Sequence, residues 1–90
     1  MLKKQFFIYG LVQGVGFRYF TWKTATQIGV KGYVRNRQDG SVEVVATGTN
    51  TQLAQLSAWL NHGPRTASVE QVIEQDYADS HVFSDFAVRY

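Results

Sequence analysis

The sequence predicts an α+β fold: an antiparallel sheet with two helices packed on one face. Three observations point there. Five stretches carry the apolar pattern of strands, and two carry apolar residues at the helical repeat. Their order along the chain is strand, helix, strand, strand, helix, strand, with a short further strand at the end. A split βαβ unit used twice in that order is the ferredoxin-like α/β sandwich. The chain has 90 residues, so residues 1–90 are read as a single domain.

The elements follow in order. Phe6 to Val12 reads as a strand with apolar residues on both faces, Phe6, Ile8 and Val12 against Phe7, Tyr9 and Leu11. That pattern predicts a central position in the sheet. Phe17 to Ile28 reads as a helix, with Phe17, Phe20, Thr21, Thr24 and Ile28 on one stripe and Gly29 as its stop. Val30 to Asn36 and Ser41 to Thr47 are strands joined by Arg37-Gln38-Asp39-Gly40, whose Asp-Gly pair is a hairpin signal. Asn50 or Thr51 is the expected cap of a second helix ending near Asn61, with Leu53, Leu56, Ser57 and Leu60 buried. His62-Gly63-Pro64 terminates it. Val69 to Asp76 and Phe83 to Tyr90 are the last strands, the final one placing Phe86, Val88 and Tyr90 on one face.

Composition bounds the function. Hydrophobic residues make up 44% and aromatic residues 14%, enough for a folded core. There is no cysteine, which excludes disulfides, thiolate chemistry and cysteine-based zinc sites. No segment approaches the ~20 apolar residues of a membrane span. The start, Met1-Leu2-Lys3-Lys4, lacks the pattern of a signal peptide, so a cytoplasmic protein is expected, without a membrane partner. The net charge is only +2, but it is unevenly spread: residues 1–38 hold seven bases and no acid, and five of the seven acids lie between Glu70 and Asp85. A basic first half suits an anionic partner.

The most informative segment is Gly10-Leu11-Val12-Gln13-Gly14-Val15-Gly16-Phe17-Arg18. A strand empties into a loop holding two glycines, and a helix follows with an arginine in its first turn. Glycine lets successive N–H groups curl toward one anion. A helix start adds unpaired donors and partial positive charge. Arginine contributes a planar fork matched to phosphate oxygens. We therefore read Gln13, Gly14, Val15, Gly16 and Phe17 as a phosphate-binding loop with Arg18 beside it. The familiar glycine motifs fail here. A dinucleotide fingerprint requires glycine at position 19, which is Tyr19, and a P-loop counted from Gly10 reaches Val15 instead of glycine.

Arg18 has a plain alternative as a surface arginine lying over an apolar helix face. A cation in the first turn opposes the helix dipole at a cost of about 0.3–1 kcal/mol, and a broken local rule points to function. Asn36 closes the second strand. Ordinary turn chemistry accounts for an asparagine there, and so does a carboxamide that orients a water with donor and acceptor together. His62 and His81 stand apart, without partners at ligand spacing, so no metal site is expected. An RNA-binding sheet of this topology would carry aromatics on its third strand, where Ser41-Val42-Glu43-Val44-Val45-Ala46 has none. No nucleic-acid partner is expected.

The segment Gly10 to Arg18 resembles the signature of acylphosphatases. So do Gly32-Tyr33-Val34-Arg35-Asn36 with Asp39-Gly40-Ser41-Val42-Glu43-Val44, the helix end His62-Gly63-Pro64 with Thr66-Ala67-Ser68-Val69, and the ending Phe83 to Tyr90. The resemblance covers essentially the whole chain. It implies metal-independent hydrolysis of acyl phosphates to a carboxylate and inorganic phosphate, with no cofactor. It further implies that Arg18 binds the phosphoryl group, Asn36 positions the attacking water, and the loop amides complete the cradle. A small-molecule acyl phosphate is the implied partner, and a monomer is expected. Two departures touch no expected site residue: Tyr33 stands where the family commonly has tryptophan, and Thr47-Gly48-Thr49-Asn50 where it often has Glu-Gly-Pro. The rival reading is a non-enzymatic ferredoxin-like module that binds an anionic ligand or RNA, which would have no need of Asn36.

Overall fold

A computed structural model describes all 90 residues, Met1–Tyr90. The elements are β1 (Leu2–Leu11), α1 (Phe17–Ile28), β2 (Lys31–Asn36), β3 (Val42–Gly48), α2 (Asn50–His62), β4 (Ser68–Asp76) and β5 (Phe86–Arg89). The sheet order is β4-β1-β3-β2-β5. β1 lies between β4 and β3, an interior position in the sheet as its apolar pattern predicts. No helix is long and apolar enough to cross a membrane.

Strands β4, β1, β3 and β2 form the expected antiparallel set, but the sheet as a whole is mixed, because β5 joins the β2 edge in parallel. The reason lies in where β4 ends. Asp76 pairs with Lys4, at the sheet end where β2 begins. The connector only has to cross the sheet at that end, so the chain re-enters running the same way as β2. Its crossing is held by Tyr77 N–H on the Lys3 carbonyl at 3.1 Å and by Gly32 N–H on the Asp85 carbonyl at 2.9 Å. Phe83 rests against Tyr33, ring centroids 5.9 Å apart.

The core lies between the sheet and the helices. Phe6 and Ile8 of β1, Val34 of β2, and Val42, Val44 and Ala46 of β3 meet Phe17 and Ala25 of α1 and Leu53, Leu56 and Leu60 of α2. Fully burying each large apolar side chain contributes about 1.5–3 kcal/mol. The α1 stripe differs from the expected one. Its buried residues are Phe17, Thr21 and Ala25, a strict i, i+4 ladder, whereas Phe20 is 37% exposed and stacks edge-on against Tyr19. The cap of α2 also differs: it is Thr49, not Asn50 or Thr51. Its hydroxyl accepts from Gln52 N–H, and Gln52 reaches back to the Thr49 N–H. This capping box satisfies two orphan donors at once.

Beneath the uncovered sheet face lies a charged group. Glu43 is only 4% exposed, ion-pairs with Arg35 and accepts from Gln5 Nε2 at 2.6 Å. The pair raises the Arg35 pKa further above its ordinary value. Burial, with Glu43 adding to it, pushes the Tyr33 phenol up to about 12.

Candidate active site

The loop between β1 and α1 is shaped by two glycines in the left-handed region, Gly14 at φ 73° and Gly16 at φ 77°. An L side chain rarely adopts that conformation, so both positions favour glycine. Phe17 then drops into the core, 1% exposed, against Trp59 with ring centroids 5.8 Å apart. That anchor fixes where α1 begins. No side chain caps the helix, and its first internal bond is Phe20 N–H to the Gly16 carbonyl at 3.1 Å. None of the main-chain N–H groups from Gln13 to Tyr19 donates to an acceptor in the protein. Backbone donors are otherwise almost always paired when shielded from water. Seven consecutive free donors, four in the loop and three in the first helical turn, leave partial positive charge unneutralised at the start of α1.

Arg18 adds a full charge. It has no carboxylate partner; the ion pairs of the molecule are Lys4–Glu74, Arg35–Glu43 and Arg37–Asp39. Its Nη1 donates to the Arg89 carbonyl at 3.2 Å, and its guanidinium lies 4.6 Å from the centre of the Tyr90 ring. These contacts aim the side chain without neutralising it.

A cleft of about 230 Å³ gathers Gly14, Gly16, Arg18 and Asn36, with Tyr19 and Tyr90 among its walls. No Asp, Glu or His side chain lines it. Asn36 stands at the end of β2, and its Oδ1 is buried without a hydrogen-bond partner. An unpaired buried acceptor costs about 1–3 kcal/mol, and such groups concentrate where a site uses them.

The structure thus brings together Gly14, Gly16, Phe17, Arg18 and Asn36. Gln13 and Val15 do not line the cleft. The Gln13 side chain turns instead to the β2–β3 hairpin, where Nε2 donates to the carbonyls of Arg37 and Ser41, both at 2.8 Å. Val15 packs against the core, and its carbonyl accepts from the Thr66 hydroxyl at 2.6 Å. Beyond the residues expected from the sequence, Val12, Tyr19, Val88 and Tyr90 also wall the cleft, and Thr66 tethers the loop. Tyr19 was inferable from its place beside Arg18 in the first turn. Tyr90 and Val88 reach the cleft only because β5 pairs with β2, which no local pattern reports.

A two-layer α+β sandwich of the ferredoxin-like kind, with an open helix start beside a bare guanidinium, is the structural class of this domain. Comparison with known proteins narrows it. The acylphosphatase family profile matches residues 4–88. The acylphosphatase of Pasteurella multocida (strain Pm70) is 82% identical over 90 residues, covering 100% of both chains. The crystal structure of an acylphosphatase from Bacillus subtilis superposes with a TM-score of 0.94 at 31% identity, covering 100% of both chains. An acylphosphatase from Coxiella burnetii does so at 0.92 and 35% identity, covering 98% of this chain and 92% of its own. The chain belongs to the acylphosphatase family.

Proposed function

We propose that the protein hydrolyses acyl phosphates, carboxyl-phosphate anhydrides, to a carboxylate and inorganic phosphate. One observation carries this reading: an unneutralised Arg18 and a run of free amides share a cleft with the unsatisfied carboxamide of Asn36. The amides of Gly14, Gly16 and Phe17, which line the cleft, and the Arg18 guanidinium hold the phosphoryl oxygens, and Asn36 orients a water in line with the bond to be broken. The water oxygen bonds to phosphorus while the phosphorus–oxygen bond to the acyl group breaks, and the pair of electrons leaves on the carboxylate. A carboxylate is a good leaving group, so positioning and charge stabilisation supply most of the rate. With no Asp, Glu or His side chain lining the cleft, the water's proton passes to an oxygen of the substrate's own phosphate. A cytoplasmic setting goes with this reading, in keeping with a chain free of cysteine, and a monomer is the form we propose for a domain of this size.

The test is turnover of benzoyl phosphate with a chelator present. The natural chain is expected to be active. Arg18→Ala should lose about 10³-fold in kcat/KM, in the range for removing a main charge-stabilising donor. Asn36→Ala should lose about 10²-fold in kcat with KM little changed. A folded but inactive natural chain would favour the binding-module reading instead.

A further inference from the structure

We propose that Gln13 is a positioning residue: its side-chain amide clamps the phosphate loop to the turn that follows Asn36 and so sets the distance between phosphoryl group and water. The inference rests on the hydrolase reading above and adds a role for a side chain outside the cleft.

The two halves of the site come from segments that share no ladder hydrogen bond. The loop hangs off the end of β1, and Asn36 ends β2, with β3 between them in the sheet. Gln13 bridges this gap. Both hydrogens of its one amide nitrogen are used, on the carbonyls of Arg37 and Ser41. Arg37 directly follows Asn36, and Ser41 faces it across the turn, Arg37 N–H donating to the Ser41 carbonyl at 2.8 Å. The turn that is gripped is itself braced. Asp39 Oδ1 accepts from Ser41 N–H at 2.9 Å, Gly40 N–H donates to the Arg37 carbonyl at 3.2 Å, and Arg37 pairs with Asp39. A clamp on a rigid turn transmits position, whereas a clamp on a floppy one would not. On the far side of the loop, the Thr66 hydroxyl holds the Val15 carbonyl. The loop whose amides are free is therefore fixed by side chains on both flanks.

The chemistry selects glutamine. Two carbonyls about one nitrogen require a group with at least two hydrogens on that nitrogen, which Gln supplies and Glu does not. Displacements near 1 Å in a positioned site cost about 10²-fold in rate.

The experiment is a double-mutant cycle on benzoyl phosphate hydrolysis, with inorganic phosphate as competitive inhibitor and thermal unfolding followed for every variant. Gln13→Ala should lower kcat about 10- to 100-fold. Phosphate inhibition should change less than about threefold, because Arg18 and the amides remain. Gln13→Met keeps the volume and loses the donors, and serves equally should the alanine variant not fold. In an Asn36→Ala background either change should cost less than about threefold in kcat, since nothing is left to align. Additive losses in the double variant, or an unaltered kcat in Gln13→Met, would overturn the inference while leaving the hydrolase reading intact. An inactive natural chain would instead bring down both.

Discussion

The molecule starts two helices in opposite ways. α2 begins at Thr49 with a reciprocal capping box, both orphan donors satisfied from within. α1 begins at Gly16 with no side-chain cap, no acid in its first turn, and Arg18 where a cation opposes the dipole. A cap of the first kind contributes about 1 kcal/mol to stability. The absence of one at α1 leaves donors and positive potential free for a ligand. The contrast separates helix ends that serve the fold from helix ends that serve the site: the former close on themselves, the latter stay open and are held by neighbours such as Gln13 and Thr66.

Placing an anion at the open end should abolish the contrast. Gly16→Asp puts a carboxylate at the start of α1, in a left-handed conformation that aspartate tolerates better than most residues. Activity on benzoyl phosphate should fall about 10- to 100-fold because the carboxylate competes for the amides, while the dipole gains a favourable charge. Kinetics and thermal unfolding on the same sample check this; a variant as active as the natural chain would show that the open start of α1 does not serve the site. Removing the cap at the closed end should do the reverse. Thr49→Ala should cost about 1 kcal/mol, a fall of roughly 4–8 °C in Tm for a domain of this size, with kcat/KM unchanged. The smallest effect concerns the turn that Gln13 grips. Hydrogen bonds from the Ser41 hydroxyl and N–H, with Arg37 nearby, hold the Asp39 carboxyl below its ordinary value of 3.8. Its stabilisation is therefore complete above that value and is lost as the pH falls through the lowered one. Denaturant midpoints measured from about pH 5 down to about pH 2 should decline less steeply for Asp39→Asn than for the natural chain.

The same division explains what could be read from the residues. Phe17–Ile28 was legible to the residue because a glycine stands at each end and aromatic and aliphatic side chains mark its face. The order of elements, and with it the two-layer sandwich, was legible for the same local reasons. The loop from Gln13 to Phe17, Arg18 and Asn36 stood out as residue types in a telling sequence, and the structure brings all but Gln13 and Val15 to the cleft. The Thr49 cap was missed although its partner Gln52 lies three residues on, the spacing of a capping box. Phe20 lies outside the buried stripe: helical periodicity reports a stripe but not its angular edge, and one position of rotation turns it to solvent.

Local chemistry determined which segments are helices and strands, where the unpaired amides lie, and which charged and carboxamide side chains flank them. These depend on contacts within a few residues, so neighbours along the chain suffice to set them. Tertiary structure alone decided that β5 runs parallel to β2 and delivers Tyr90 to Arg18, that Gln13 reaches 24 and 28 residues ahead to hold the hairpin, and that Asn36 shares a cleft with the loop. Those pairings join segments whose separation in sequence carries no periodic signal, and they form only when burial of the common core brings the segments together.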